Sequence, residues 1–230
     1  MKDVVATILI DIKDKTEEQI FGNIEYSRRK NIKKAMASRL SFEERNSEED
    51  LKKGYAIYSK VVLEGGTIPD TWAHWKNLIN LGKNKFYLIK FKDEVIGCFG
   101  IKEITKRYYN LPSEEKGIRP IVFANDKKFN EYRPNDFMYW NTILYGIRNK
   151  VDFVDLGGWQ INPRGHLAGV NKFKEQWGGE VFYYYNEYPI LKAIGRKLVR
   201  RFSLCWLINK KIRQWGLRKS KDIPSDWSKI

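Results

Sequence analysis

The sequence predicts an α/β fold: a mixed, mostly antiparallel sheet flanked by helices. Three observations predict it. Short β-branched and aromatic runs such as Ala6–Ile12, Phe86–Phe91 and Ile121–Ala124 read as strands. Between them lie segments with apolar residues three or four apart, bounded by capping and stop signals, and these read as helices. The order is a strand, several helices, a hairpin with a third strand, then alternating helix and strand. Such an order folds as an antiparallel meander followed by a βαβαβ unit.

Taken along the chain, Ala6–Ile12 is the opening strand. Thr16-Glu17-Glu18-Gln19 fits a capping box, because Thr and Gln stand three apart, and starts a helix. Arg28–Ala37 continues helically, and Arg39–Asn46 reads as strand or linker. Ser47-Glu48-Glu49-Asp50 opens a further helix with Leu51, Tyr55, Tyr58 and Val62 as its buried stripe, stopped by Gly65-Gly66. Asp70 caps the next, which holds Trp72, Trp75, Leu78 and Ile79 and ends at Gly82. Phe86–Phe91 and Val95–Thr105 form a hairpin turned by Lys92-Asp93-Glu94, and Ile121–Ala124 is a third central strand. Asn135 or Asp136 starts a helix that reaches Lys150. Phe153–Leu156 is a strand ended by Gly157-Gly158. A polar loop, Trp159–His166, leads into a helix over Leu167–Trp177, which Gly178-Gly179 stops, and Glu180–Tyr185 is the last strand. Both crossovers are expected to be right-handed.

Composition bounds the classes of function. The chain has 230 residues, of which 42% are hydrophobic and 14% aromatic, enough for a sizeable core and unlike a disordered chain. Two cysteines, Cys98 and Cys205, lie far apart, which excludes a disulfide scaffold and a cysteine zinc site and fits a reducing compartment. Two histidines, His74 and His166, are too few for a His-rich metal centre. The longest apolar runs, Val4–Ile10 and Phe202–Ile208, fall far short of the roughly 20 residues of a membrane-crossing helix. Val4–Ile10 also lacks a basic leader and makes a poor signal peptide. The expectation is a cytoplasmic protein.

The formal net charge of +15 is unevenly spread. Residues 190–221 hold eleven basic residues, from Lys192 to Lys221, and no acid, while the rest of the chain is close to balance. Leu191, Ile194, Leu198, Phe202, Cys205, Ile208, Ile212 and Trp215 recur there at helical spacing. This divides the chain into residues 1–189, the globular domain, and 190–230, a basic amphipathic helical appendage. Three readings of the appendage stand: a helix packed on the domain with a solvated basic face, one lying on an anionic membrane at the inner face, or one on a nucleic-acid backbone. A second basic cluster, Arg28-Arg29-Lys30 with Lys33 and Lys34, is either a solvated helix face or a contact for phosphates of a nucleotide or tRNA.

The densest chemical signal is Asp155-Leu156-Gly157-Gly158, a loop, and then Gly169-Val170-Asn171-Lys172-Phe173-Lys174 running to Trp177-Gly178-Gly179. A strand end followed by two glycines lets backbone approach a ligand closely. Ligands of open α/β sheets bind at such strand ends. The following helix should present free N–H groups to an anion or a developing oxyanion, with Lys172 and Lys174 in its first two turns.

This pattern resembles the Fem family of non-ribosomal aminoacyltransferases in the GNAT superfamily. The resemblance also takes in Thr7–Asp11, the run Arg28–Ala35, and the hairpin turn Phe91-Lys92-Asp93-Glu94-Val95-Ile96-Gly97. Asp-x-Gly-Gly and Gly-x-x-x-Phe-Lys-x-x-Phe-Gly are matched here with Trp177 as the last aromatic, and coverage is about residues 5–190. The resemblance implies a GNAT-like domain that moves an amino acid from aminoacyl-tRNA to an amine of a peptidoglycan precursor, with no cofactor. It implies catalytic roles for Phe173 and Lys174, the lysine stabilising charge in the acyl-transfer transition state. Family members carry two GNAT-like halves and this chain resembles the second, so the cleft between halves calls for a second chain.

From the residues alone, the roles divide two ways. Lys174 is an oxyanion stabiliser or a helix-surface lysine, and Phe173 a site or a core residue. Asp155 accepts a proton from the acceptor amine or caps the following loop. Gly157 and Gly158 admit a ligand or simply turn the chain. Trp159, Arg164, His166 and Lys172, with Arg28 and Arg29, are the candidates for holding substrate; His166 has the right pKa for a base, although a lone loop histidine is usually only solvated. The rival donor is an acyl-CoA, used on an envelope sugar or peptide. The usual GNAT pyrophosphate loop, Gln/Arg-x-x-Gly-x-Gly/Ala, has no match: Gln19…Gly22, Gln176…Gly179 and Arg213…Gly216 all lack Gly or Ala two residues on. A non-catalytic membrane-surface domain is the third reading.

Overall fold

A computed structural model describes residues 2–45, 47–64, 68–79 and 84–187. The basic segment 190–221 and Cys205 lie outside the described residues, as do Gly65, Gly66 and Gly82, the expected helix stops. No described helix is long and apolar enough to cross a membrane.

Seven strands form one sheet: β1 (Lys2–Asp11), β2 (Leu40–Glu44), β3 (Asn84–Phe91), β4 (Glu94–Thr105), β5 (Lys116–Asn125), β6 (Phe153–Trp159) and β7 (Glu180–Glu187). The helices are α1 (Glu17–Asn23), α2 (Tyr26–Ala37), α3 (Glu48–Glu64), α4 (Trp72–Ile79), α5 (Pro134–Arg148) and α6 (His166–Glu175). Short 3-10 turns at Lys106–Tyr109 and Lys127–Tyr132 were not expected from the sequence. The strand order is β2-β3-β4-β5-β6-β1-β7, with only β5 and β6 parallel among neighbours. The predicted mixed, mostly antiparallel sheet is therefore what the chain forms. One arrangement differs. β7 pairs with β1, and β1 lies between β6 and β7, so the crossover through α6 spans an interposed antiparallel strand.

Local chemistry explains the elements. Thr16 and Gln19 close the capping box in both directions, Thr16 N–H donating to Gln19 Oε1 at 2.9 Å and Gln19 N–H to Thr16 Oγ1 at 3.3 Å. Leu40–Glu44 is strand rather than linker, in register with β3 from Leu40–Phe91 to Glu44–Tyr87. At α4 the cap is Thr71, whose Oγ1 accepts from His74 N–H, rather than Asp70. Asp70 instead takes the hydroxyls of Tyr55 and Tyr58. The β3–β4 turn needs only Lys92 and Asp93, Lys92 in the left-handed region at φ 56°, and Glu94 already pairs with Phe91. Pro134 starts α5, at the position where its missing N–H costs no helix bond.

Strand alternation sends Tyr87 and Ile89 to one face and Phe86 and Leu88 to the other. On the first face α1, α2, α5 and α6 close a core that includes Ile8, Ile32, Trp140, Val154, Leu156 and Trp177. On the second, α3 and α4 cover Phe86, Cys98 and Ala124. Cys98 donates its thiol to the Gly54 carbonyl, and burial pushes its pKa up, so it is inert as a nucleophile. A smaller cluster on the second face joins Leu9, Phe153, Phe182 and Tyr184 around Tyr109.

Candidate active site

The parallel contact of β5 and β6 is short. Only Gly117–Phe153 and Ile118–Val154 are in register. Arg119 and Pro120 follow on β5, and proline has no N–H to continue a ladder. On β6, the register with β1 shifts between Thr7 and Leu9: Leu9 faces Asp155 while Thr7 faces Gly158. Three steps on β6 thus match two on β1, a β-bulge, and Gly157 takes its left-handed position at φ +81°. The glycine pair does not end the strand, which continues through the bulge to Trp159.

Asp155 precedes this bulge and is wholly buried, at 0% exposure. It receives four donors. Gly157 N–H and the Thr7 hydroxyl bind Oδ1, the former at 2.7 Å. The Tyr109 hydroxyl at 2.7 Å and Arg119 Nη1 at 2.9 Å bind Oδ2. A carboxylate has about four lone-pair sites, and all are taken. Of the two roles read from sequence, the cap is the one with a hydrogen bond behind it; no lone pair is left to take a proton from a substrate amine. Burial, the Asp155 charge and its hydrogen bond keep the Tyr109 phenol protonated.

Lys174 approaches the same bulge from α6. Its side chain is 8% exposed, and Nζ donates to the Gly158 carbonyl at 2.8 Å. A Cβ on Gly157 would stand 3.5 Å from that nitrogen. An ammonium has three donors, and Gly158 is its one acceptor among the described residues. Burial pulls its pKa down to about 8; Asp155 resists this and Arg119 adds to it. Lys172 closes the second turn of α6 and Lys174 lies beyond it, not within the first two turns as expected but in the last turn, where the helix dipole favours a cation.

The other sequence candidates separate. Phe173 leaves α6 toward the core, 5.3 Å from the Tyr139 ring, with the Arg28 guanidinium 4.2 Å above its own ring. Arg28 is 9% exposed, paired with Asp136 and hydrogen-bonded to Gln176, so it is bound within the fold and not offered to phosphates. Arg29 donates to the Gly22 carbonyl and stacks on Tyr26. Trp159 donates its indole N–H to Glu175 at 2.7 Å. Lys172 and Arg164 are exposed, and His166 begins α6 with its side chain outside the described residues. Thus Lys174, Gly157, Gly158 and Asp155 come together, with Trp159 adjoining.

Four residues that the sequence reading passed over complete the arrangement: Thr7, Tyr109, Arg119 and Asn171. Asn171 is buried and brackets the loop after β6, accepting from Gln160 N–H at 3.0 Å and donating to Gln160 O at 2.8 Å. It stands three residues before Lys174, so one face of α6 holds both Gly158 and Gln160. That spacing was visible in the sequence, as was a lone hydroxyl, Thr7, inside an apolar strand. Among the described residues no cluster of His, Cys, Asp and Glu is disposed to hold a metal ion. A cleft of about 540 Å³ opens at the other end of β6, beside Asp152, Phe153 and Phe182, and Lys174 does not line it. Its cations are already paired, Lys13 with Asp152, Lys15 with Asp11 and Lys106 with Glu115.

No family model matches the chain, and no curated protein matches it in sequence. Solved structures match it in shape. FemX does so with a TM-score of 0.63 at 12% identity, over 78% of this chain and 61% of that one. The C-terminal domain assigned to a lysylphosphatidylglycerol synthetase of Agrobacterium fabrum gives 0.53 at 10% identity, over 80% and 60%. L-PGS from Bacillus licheniformis gives 0.53 at 12% identity, over 84% and 65%. The chain therefore spans between 60% and 65% of the length of these structures. What is shared at such identities is the fold, the GNAT-like sheet flanked by helices that the sequence predicts.

Proposed function

We propose that this chain is an acyltransferase that moves an aminoacyl group onto an amine of a cell-wall precursor, with aminoacyl-tRNA as donor. The observation that supports it most is Lys174, a cation 8% exposed, held by one carbonyl at a strand bulge. Burying a charge is costly unless it is paired or used. A solvated surface lysine would need no such placement.

In this reading the acceptor amine attacks the ester carbonyl of the donor, and a C–N bond forms. The carbonyl oxygen becomes an oxyanion, which the free N–H groups of Lys174 meet. The C–O bond to the leaving hydroxyl then breaks, and the proton given up by the amine passes to that oxygen. One such donor aimed at an oxyanion is worth about 3 kcal/mol. Holding amine and ester together supplies much of the remainder. The attacking group is the substrate's own amine, so no nucleophilic side chain is required.

The fold shared with FemX, the lysylphosphatidylglycerol synthetase domain and L-PGS supports a transferase reading in general terms. The donor is tested by offering labelled aminoacyl-tRNA and acyl-CoA side by side with a muropeptide amine. Transfer from the first is expected. Transfer from acyl-CoA alone would replace the donor, and transfer from neither, with or without a partner chain, would leave a binding domain. On the same reading, a second chain completes the cleft and the 190–221 segment brings the enzyme to the anionic inner face of the membrane.

A further inference from the structure

We propose that Asp155 is a positioning residue for Lys174, acting through the backbone of the bulge, with Arg119 as its counter-ion. This rests on the reading of Lys174 as the oxyanion stabiliser.

The path is short and continuous. The Asp155 carboxylate accepts from Gly157 N–H at 2.7 Å, which fixes the peptide that begins the left-handed turn. Two peptides further on, the Gly158 carbonyl accepts from Lys174 Nζ at 2.8 Å. That carbonyl holds the ammonium, and it belongs to the bulge whose first peptide Asp155 fixes. Alternation along β6 puts Asp155 on the face opposite Val154 and Leu156, whereas α6 packs on their side. Only bulge backbone therefore separates carboxylate from ammonium.

Asp155 is itself over-determined. Thr7 ties it to β1, Tyr109 to the 3-10 turn after β4, and Arg119 to β5, so four elements converge on one buried carboxylate. A plain turn cap needs only the Gly157 bond. The further three partners fill the remaining lone pairs of the carboxylate, and removing any one of them would leave a buried polar group unpaired. Arg119 is also stacked on Tyr108, with its guanidinium carbon 5.3 Å from the ring centroid.

The charges acting on Lys174 are opposed. Asp155 on β6 favours its ammonium form and Arg119 on β5 disfavours it. The neighbouring elements otherwise present neutral phenols, Tyr139 on α5, Tyr109 after β4 and Tyr184 on β7. On α6 itself Lys172 is exposed and Glu175 is bound to Trp159. Removing either charge should move the Lys174 titration, in opposite senses, whereas a network that only stabilises the fold and does not act on the ammonium moves neither.

The test follows the Lys174 side chain directly, by ¹³Cε NMR titration of lysine-labelled protein, with the resonance assigned by its loss in Lys174→Met. Asp155→Asn keeps the shape and removes the charge; the Lys174 titration should move to lower pH by about one unit. Arg119→Gln should move it to higher pH. Where transfer is measurable, Asp155→Asn should lower kcat and leave KM near wild type. Unchanged midpoints in both variants, or shifts of the same sign, overturn the proposal. Should Asp155→Asn fail to fold, Arg119→Gln alone decides, by the direction of its shift. The titration needs no substrate, so it stands even if no donor is found and the transferase reading fails.

Discussion

The ammonium of Lys174 lies 2.8 Å from the carbonyl of Gly158, inside a bulge that Asp155 holds from the opposite face of the sheet. A buried amine in that setting leaves a signature in stability. Its pKa is about 8 in the folded chain, against the usual 10.5. The folded state therefore carries the whole penalty below pH 8 and sheds it as pH climbs toward 10.5. Two and a half units correspond to up to about 3 kcal/mol. Denaturant unfolding of the wild type and Lys174→Met should show their difference moving in favour of the wild type by that order between pH 7.5 and 10.5. A constant difference would mean the amine is not desolvated.

The same group sets the pH dependence of transfer. The charged form is the one that meets an oxyanion, so kcat, corrected for the neutral fraction of the acceptor amine, should be level below pH 8 and fall about tenfold per unit above it. A rate that keeps rising through pH 9, beyond what deprotonation of the acceptor explains, would require a neutral Lys174.

Gly157 is needed for its backbone. At φ +81° an L side chain is strained, whereas its Cβ would meet Lys174 Nζ at an ordinary 3.5 Å. Gly157→Ala should cost about 1–2 kcal/mol, and Gly157→Asn less, because asparagine tolerates the left-handed region. Thermal melts of the two variants decide this; equal losses would place the cause in crowding.

Arg28 should behave as part of the core. Cutting it to alanine leaves Asp136 buried and unpaired and uncovers the Phe173 ring, a loss of about 3–5 kcal/mol. Lys30→Ala, on the exposed side of the same helix, should fall within about 0.5 kcal/mol of wild type. Similar melting temperatures for both variants would contradict the assignment.

These particulars show what could be read in advance. Capping boxes, periodic apolar stripes and hairpin turns act over a few residues, so α1, α3, α5 and the β3–β4 hairpin were legible with boundaries off by little. The insertion of β1 between β6 and β7 was not, because pairing across some 150 residues leaves no local pattern. For the site, Asp155, Gly157, Gly158 and Lys174 stood out as a motif. Their partners did not, since Thr7, Tyr109 and Arg119 each sit in an ordinary strand or turn and meet only through topology. Arg28 misled for a related reason. A basic run looks solvated from sequence, and only the packing of α2 on α5 and α6 turns one of its cations inward.

The most direct measurement is the single-turnover rate of wild type and Lys174→Met with the donor and acceptor that support transfer, both proteins verified as folded. Loss of at least about a hundredfold in Lys174→Met, with KM little changed, is the predicted result. Turnover by Lys174→Met within a few fold of wild type would contradict the placement of this ammonium at the reacting carbonyl.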